Sequence, residues 1–174
     1  LHGKFYEYAP GAPIELMFHG YRGSAQRDLA GGVQRCFGVG RSALIVDQRC
    51  AGKSEGHVIT FGIKEHRDCL AWVDFAVKKF GPDVKIVLTG ISMGASTVCM
   101  AADLEFPGNV RGIIADCGFT SPAEILGYMA QKMYHVPGSI AVAFLNIFAR
   151  LFAGFGLYQW STVDALRNTK LPVA

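Results

Sequence analysis

Val84-Lys-Ile-Val-Leu-Thr-Gly-Ile-Ser-Met-Gly-Ala95 is the stretch on which the fold turns. Val84 to Thr89 is short, apolar and β-branched, and reads as a buried strand. Gly90 to Gly94 follows as G-x-S-x-G, and Ala95 to Glu105 reads as a helix, small-sided at Ala95, Ala101 and Ala102. Pro107-Gly108 stops it. A serine on so sharp a strand-to-helix turn has its hydroxyl lifted clear of the sheet. The crowded backbone there requires small residues two before and two after, hence the glycines. The N–H groups opening the helix point at the serine and suit a developing oxyanion. Ser92 therefore reads as a nucleophile.

Outward from this turn, the same alternation recurs. Ile14 to Phe18, Ser42 to Val46 and Val110 to Ala115 are further short strands, and Leu171 to Ala174 begins another. Lys64 to Phe80 is helical, with Leu70, Val73, Val77 and Phe80 on one face, and Gly81-Pro82 ends it. Ser24 to Phe37 is a weaker helix, because Gly31-Gly32 lies inside it. Strands alternating with helices predict an α/β fold, a mostly parallel sheet flanked by helices on both faces. Residues 121–166 break the alternation with a long, apolar, helical connection, split at Pro137-Gly138. The division is a core over 1–120, a helical insertion over 121–166, and a return to the core over 167–174.

G-x-S-x-G occurs a second time, at Gly52-Lys-Ser-Glu-Gly56. Chance gives about 0.1 matches in a chain of this composition, so context must choose. The preceding strand ends near Val46, and His57-Val-Ile-Thr-Phe-Gly62 is no helix. Gly52-Lys53-Ser54 also suggests a phosphate loop, but Asp47 occupies the first glycine position of that pattern and would repel phosphate. A phosphate-binding protein is thus one alternative to an enzyme, and a fold that binds without catalysis is another.

An oxyanion hole needs a second donor from a loop after an earlier strand. Phe18-His19-Gly20-Tyr21-Arg22-Gly23 supplies it, with Gly20 letting the backbone turn toward the site. The backbone N–H groups of Tyr21 and Met93 are the expected pair. His19, abutting a strand end, reads as a structural hydrogen-bonding residue.

Charge and cysteine content narrow the classes. The formal charge is +3 and the cations are scattered, which argues against nucleic acid as a partner. Five cysteines without CxxC spacing fit buried free thiols in a reducing compartment better than a disulfide framework or a zinc knuckle. No metal or organic cofactor is expected. Gly138 to Trp160 is apolar, but Asn146 and Arg150 interrupt it, so it reads as a buried or cleft-lining helix, with membrane contact the lesser option.

Together, His19-Gly-Tyr-Arg-Gly23, Asp47-Gln-Arg-Cys-Ala-Gly-Lys-Ser-Glu-Gly56, Gly90-Ile-Ser-Met-Gly94 and Asp116-Cys-Gly-Phe-Thr-Ser121 resemble the α/β-hydrolase superfamily, especially its lysophospholipase-like and serine-aminopeptidase-like branch with the Bem46-type proteins. The resemblance implies a serine hydrolase of a carboxylic ester, thioester or amide, and a small-molecule or acyl substrate. It implies that 121–166 is a cap over the pocket; the reducing compartment read from the cysteines is taken as the cytoplasm. Cys50 stands where such proteins often carry glycine. In this superfamily the order is nucleophile, acid, histidine, so the acid and histidine are expected beyond Ala174. Asp116 is a reserve acid, and His135 is a weak candidate for the base because no strand-end loop presents it.

Overall fold

A computed structural model describes residues 1–174. Five strands form one sheet in the order β1-β3-β2-β4-β5: β1 His2–Tyr6, β2 Ile14–Phe18, β3 Ser42–Asp47, β4 Ile86–Ile91 and β5 Val110–Asp116. All pairings are parallel except β1 with β3. The expected α/β architecture is therefore present.

Both faces of the sheet are covered, and strand parity assigns each residue to one of them. Ile14, Leu16 and Phe18 of β2 join Leu44, Val46, Ile86 and Leu88 beneath α3 (Glu65–Phe80) and α4 (Met93–Ala101). Met17, Ala43 and Ile45 face the other way, against Ala25, Leu29 and Cys36 of a helical pair, α1 (Ala25–Asp28) and α2 (Ala30–Gly38). The single helix expected over Ser24–Phe37 is thus two, broken at Leu29 (φ −111°, ψ −4°). Gly32 is not the break: a Cβ there would lie 2.3 Å from Met17 Cε. It lets α2 approach the sheet.

α3 buries His66, Cys69, Trp72, Val73 and Ala76. The face is rotated from the expected one, and Leu70 is only half-buried. β1 was not foreseen. Its residues, half-buried except for exposed Lys4, pair along the outer edge of β3. Leu171–Ala174 does lie beside β5, through a parallel bridge between Ile113 and Val173 and hydrogen bonds of Ile113 and Ala115 to Pro172 and Ala174 carbonyls.

After β5 come α5 (Pro122–Tyr134), α6 (Gly138–Phe148), a π-helical turn (Ala149–Ala153) and α7 (Thr162–Asn168). Ser121 caps α5 by accepting from Glu124 N, and Ser161 caps α7 likewise from Asp164 N. Their shared core is Ile63, Ala123, Val142, Phe155 and Leu157. Trp160 Nε1 donates to Met100 O and joins this segment to α4. Of the buried and cleft-lining readings of Gly138–Trp160, the buried one is corrected: Ile140, Phe144, Ile147, Phe148, Leu151 and Phe152 are all more than half exposed. No helix is long and apolar enough to cross a membrane.

Candidate active site

β4 runs through Gly90 to Ile91 and α4 opens at Met93, so Ser92 alone makes the turn. The elbow is tighter than the sequence suggested. Ser92 has φ 54° and ψ −117°, a backbone conformation suited to glycine at the first corner of a type II′ turn. Its N–H donates to Asp116 O at 2.8 Å, and its C=O accepts from Ser96 N. The flanking glycines are sterically required. A Cβ on Gly90 would sit 2.2 Å from Gly94 O, and one on Gly94 2.2 Å from Phe18 O.

The loop after β2 closes over the same point. Gly23 N donates to Gly20 O in a turn whose Arg22 has φ 53°. A Cβ built on Gly20 would lie 3.5 Å from Ser92 Cβ, so the loop backbone reaches the serine with nothing between. The Tyr21 ring stacks on Phe61 at 5.3 Å. Phe61 is itself held in a left-handed conformation (φ 53°) by Glu65, whose carboxylate accepts from Thr60 N, Thr60 Oγ1 and Gly62 N. Met93 is in the first turn of α4, where N–H groups have no intrahelical partner.

A buried polar bridge ties the loop after β2 to α4. His19, 1% exposed, accepts at Nε2 from Gln48 N (3.0 Å), which leaves Nδ1–H to donate to Gly20 O (2.7 Å). Gln48 Nε2 donates to His19 O, and Gln48 Oε1 accepts from Thr97 Oγ1. Thr97 in turn contacts Met93 O. One side chain thus spans from the loop of Tyr21 to the helix of Met93. Sequence reasoning missed Gln48 and Thr97. The available signal was a carboxamide directly after a fully apolar strand, where an unpartnered polar group would be costly.

Below this bridge, Asp47 Oδ1 accepts from Ala25 N, and Oδ2 from Lys53 N and His2 Nδ1. Burial alone would raise its pKa. The Lys53 and Ala25 N–H groups and His2 outweigh that and hold it below the ordinary carboxylate value. The phosphate-loop reading of Gly52-Lys53-Ser54 fails here. The Asp47 carboxylate occupies the cradle, within 2.3 Å of where a Gly52 Cβ would stand, and no helix follows.

The remaining candidates are dispersed. Asp116 ends β5 with its side chain exposed and unpaired, beside Ile91 in the sheet register. His135 is the exposed left-handed C-cap of α5 (φ 56°) and makes no side-chain hydrogen bond. His66 is buried, bonds Gly62 O through Nδ1, stacks on Trp160, and is pushed below the usual imidazole pKa by burial. His57 is exposed and His2 serves Asp47. No histidine hydrogen-bonds the Ser92 hydroxyl. All five cysteines are free; Cys36, Cys69 and Cys99 are buried, but Cys117 is exposed. Burial raises the Cys36 and Cys99 thiols to about 12 and about 11. A hollow of about 620 Å³ between β1 and α3 is lined by Trp72, Phe75 and Phe80, and Ser92 is not among its lining residues.

A family model for the alpha/beta hydrolase fold matches residues 16–158. The chain belongs to the α/β-hydrolase family. Among solved structures, the chain superimposes on an esterase of Pyrococcus furiosus with a TM-score of 0.68 at 23% identity, covering 98% of this chain and 62% of that one. It matches Est1E of Butyrivibrio proteoclasticus, solved with ferulic acid bound, at TM-score 0.57 and 25% identity over 75% of this chain and 52% of that one. A monoacylglycerol lipase of Paleococcus ferrophilus gives TM-score 0.62 at 17% identity, over 99% and 75%. The chain thus spans about three-fifths of the length of the first of these.

Proposed function

We propose that the protein is a serine hydrolase that cleaves a carboxylic ester through an acyl-enzyme on Ser92. The observation that carries this reading is the strained one-residue elbow at Ser92 with Gly20 against it. A sequence keeps a non-glycine residue in that conformation where the surrounding structure over-determines it, as at active sites. Ser92 Oγ attacks the carbonyl carbon, and its proton passes to a base. The Tyr21 and Met93 N–H groups receive the developing oxyanion. The alcohol leaves, and water then releases the acid. The base histidine and its orienting acid lie beyond Ala174 in this proposal, and α5 to α7 form a cap over the acyl side. The likeness to an esterase and a monoacylglycerol lipase favours an ester over an amide or thioester.

Fluorophosphonate labelling of the full-length protein tests this. A covalent adduct on Ser92, absent in Ser92→Ala, with loss of p-nitrophenyl ester turnover, is expected. An intact, folded protein with no adduct at Ser92 overturns the reading in favour of a hydrolase fold that binds without catalysis.

A further inference from the structure

Between the start of α3 and residues 154–160 lies a hollow of about 420 Å³ whose lining does not include Ser92. Ile63, Phe155 and Trp160 give it apolar walls. Its polar groups come from α3 and the residue before it. His66 lines it and is 1% exposed. The imidazole stacks on Trp160 at 4.6 Å and 18°. Nδ1–H donates to Gly62 O, one turn back, which leaves Nε2 as an acceptor on the far side of the ring. Nε2 is buried and has no partner, a state that few native polar groups are left in. Two cations flank the ring. Lys64 Nζ gives one hydrogen bond, to Ala153 O, and lies 6.0 Å from the Phe155 centroid, with two more donors to give. Arg67 is exposed, and its charge acts on the His66 ring. The acids of the same turn are engaged elsewhere, Glu65 by Thr60 and Gly62, and Asp68 by Arg49. No carboxylate lines the hollow, and residues 154–160 carry no charge.

We infer that this hollow binds a small organic carboxylate with a flat apolar body, its oxygens held by Arg67, Lys64 and His66 Nε2 and its body against Phe155 and Trp160. Two cations without a counter-charge call for an anion, and a guanidinium meets a carboxylate through two parallel hydrogen bonds. The apolar walls suit a ligand that is carbon over most of its surface, rather than a bare inorganic ion. His66 couples the binding to a proton. Without a ligand the ring is held neutral, by burial first and by the Arg67 charge after it, against the pull of Glu65 and Asp68. A neutral Nε2 accepts, so it cannot bond a carboxylate. A seated anion supplies the missing counter-charge. The ring then takes one proton from solution at Nε2 and donates it to a ligand oxygen. The sign follows from linkage. A complex that holds one more proton than its parts gains affinity as pH falls below the imidazole pKa of the complex. The gain levels off below the lowered pKa of the unliganded ring.

The test is an NMR titration of the full-length protein with benzoate and with benzamide, its neutral isostere, following the Cε1–Hε1 signal of His66. Ser92→Ala is used throughout, so that failure of the serine chemistry leaves the result intact. Benzoate should bind with a dissociation constant on the order of 1 mM, at least about tenfold tighter than benzamide. Its affinity should rise by up to about tenfold per pH unit from about pH 7.5 down to about pH 6, with the His66 signal moving to its protonated position at saturation. Arg67→Gln, at an exposed position, should weaken benzoate about tenfold and leave benzamide unchanged. His66→Gln should bind benzoate with no pH dependence over that range. Unchanged thermal unfolding verifies the fold of each variant. Equal affinity for benzoate and benzamide overturns the inference, as does benzoate binding that Arg67→Gln leaves intact. So does a His66 signal that benzoate does not move at about 10 mM.

Discussion

Removing the Ser92 side chain two ways separates its chemistry from its strain. Ser92→Ala keeps the Cβ, and with it the cost of φ 54° and ψ −117°. It loses only a hydroxyl with no protein hydrogen-bond partner, so its stability should stay within about 0.5 kcal/mol of the wild type. Ser92→Gly removes the Cβ itself. Strain at such a backbone position costs about 1–3 kcal/mol. Glycine's extra freedom in the unfolded chain costs about 0.5–1 kcal/mol in return. The difference favours Ser92→Gly by about 1 kcal/mol, which is a Tm increase of roughly 2–4 °C for a protein of this size. Elsewhere, alanine to glycine lowers stability by a similar amount, so the sign is the diagnostic. Differential scanning calorimetry of both variants reads it, and both should be without ester turnover. A Ser92→Gly protein that melts below Ser92→Ala refutes the claim that strain is stored at the elbow.

Two further outcomes follow from buried polar groups. Gln48→Leu removes the bridge between the Tyr21 loop and the Met93 helix and should lower kcat about a hundredfold with KM little changed. An unchanged kcat in the folded variant would show that the bridge does not position the proposed oxyanion donors. Glu15 is fully buried; burial alone would raise its pKa, but Thr89, Arg35 and Arg41 hold it below its ordinary 4.5. Its stabilisation is therefore complete above that value and fades as pH falls through the lowered one. Glu15→Gln should cost about 1–3 kcal/mol at neutral pH and flatten the acid limb of the Tm–pH curve. Identical acid limbs in the two proteins would refute this.

The parallel strands and the elbow were readable in the sequence because their signals are local. Val84 to Gly94 carries a buried strand, two crowding glycines and a small-sided helix within a dozen residues. β1 was not readable, since His2–Tyr6 has no apolar run and is a strand only by pairing with β3. Gly31-Gly32 looked like a helix breaker because the approach of Met17 is a tertiary fact. The His19–Gln48–Thr97 bridge joins residues 29 and 49 positions apart. No local pattern announces such a pairing. The exposed face of α6 failed for a different reason: periodicity shows that a helix has two faces, and hydropathy assigns the apolar one to the core. Here the apolar side faces outward.

Glu15 also fixes how the strands align. On β2 it points with Met17 toward α1 and α2, where Arg35, Arg41 and Thr89 await it. If β2 slid by one residue between β3 and β4, every side chain would change faces. Ile14, Leu16 and Phe18 would exchange sides with the carboxylate, which would then lie among Leu44, Val46 and Leu88 without a counter-charge. An all-apolar strand would tolerate such a shift far better. A charge in the middle of the sheet therefore acts as a proofreading mark for alignment, and holds Phe18, and with it the Gly20–Tyr21 loop, level with Ser92.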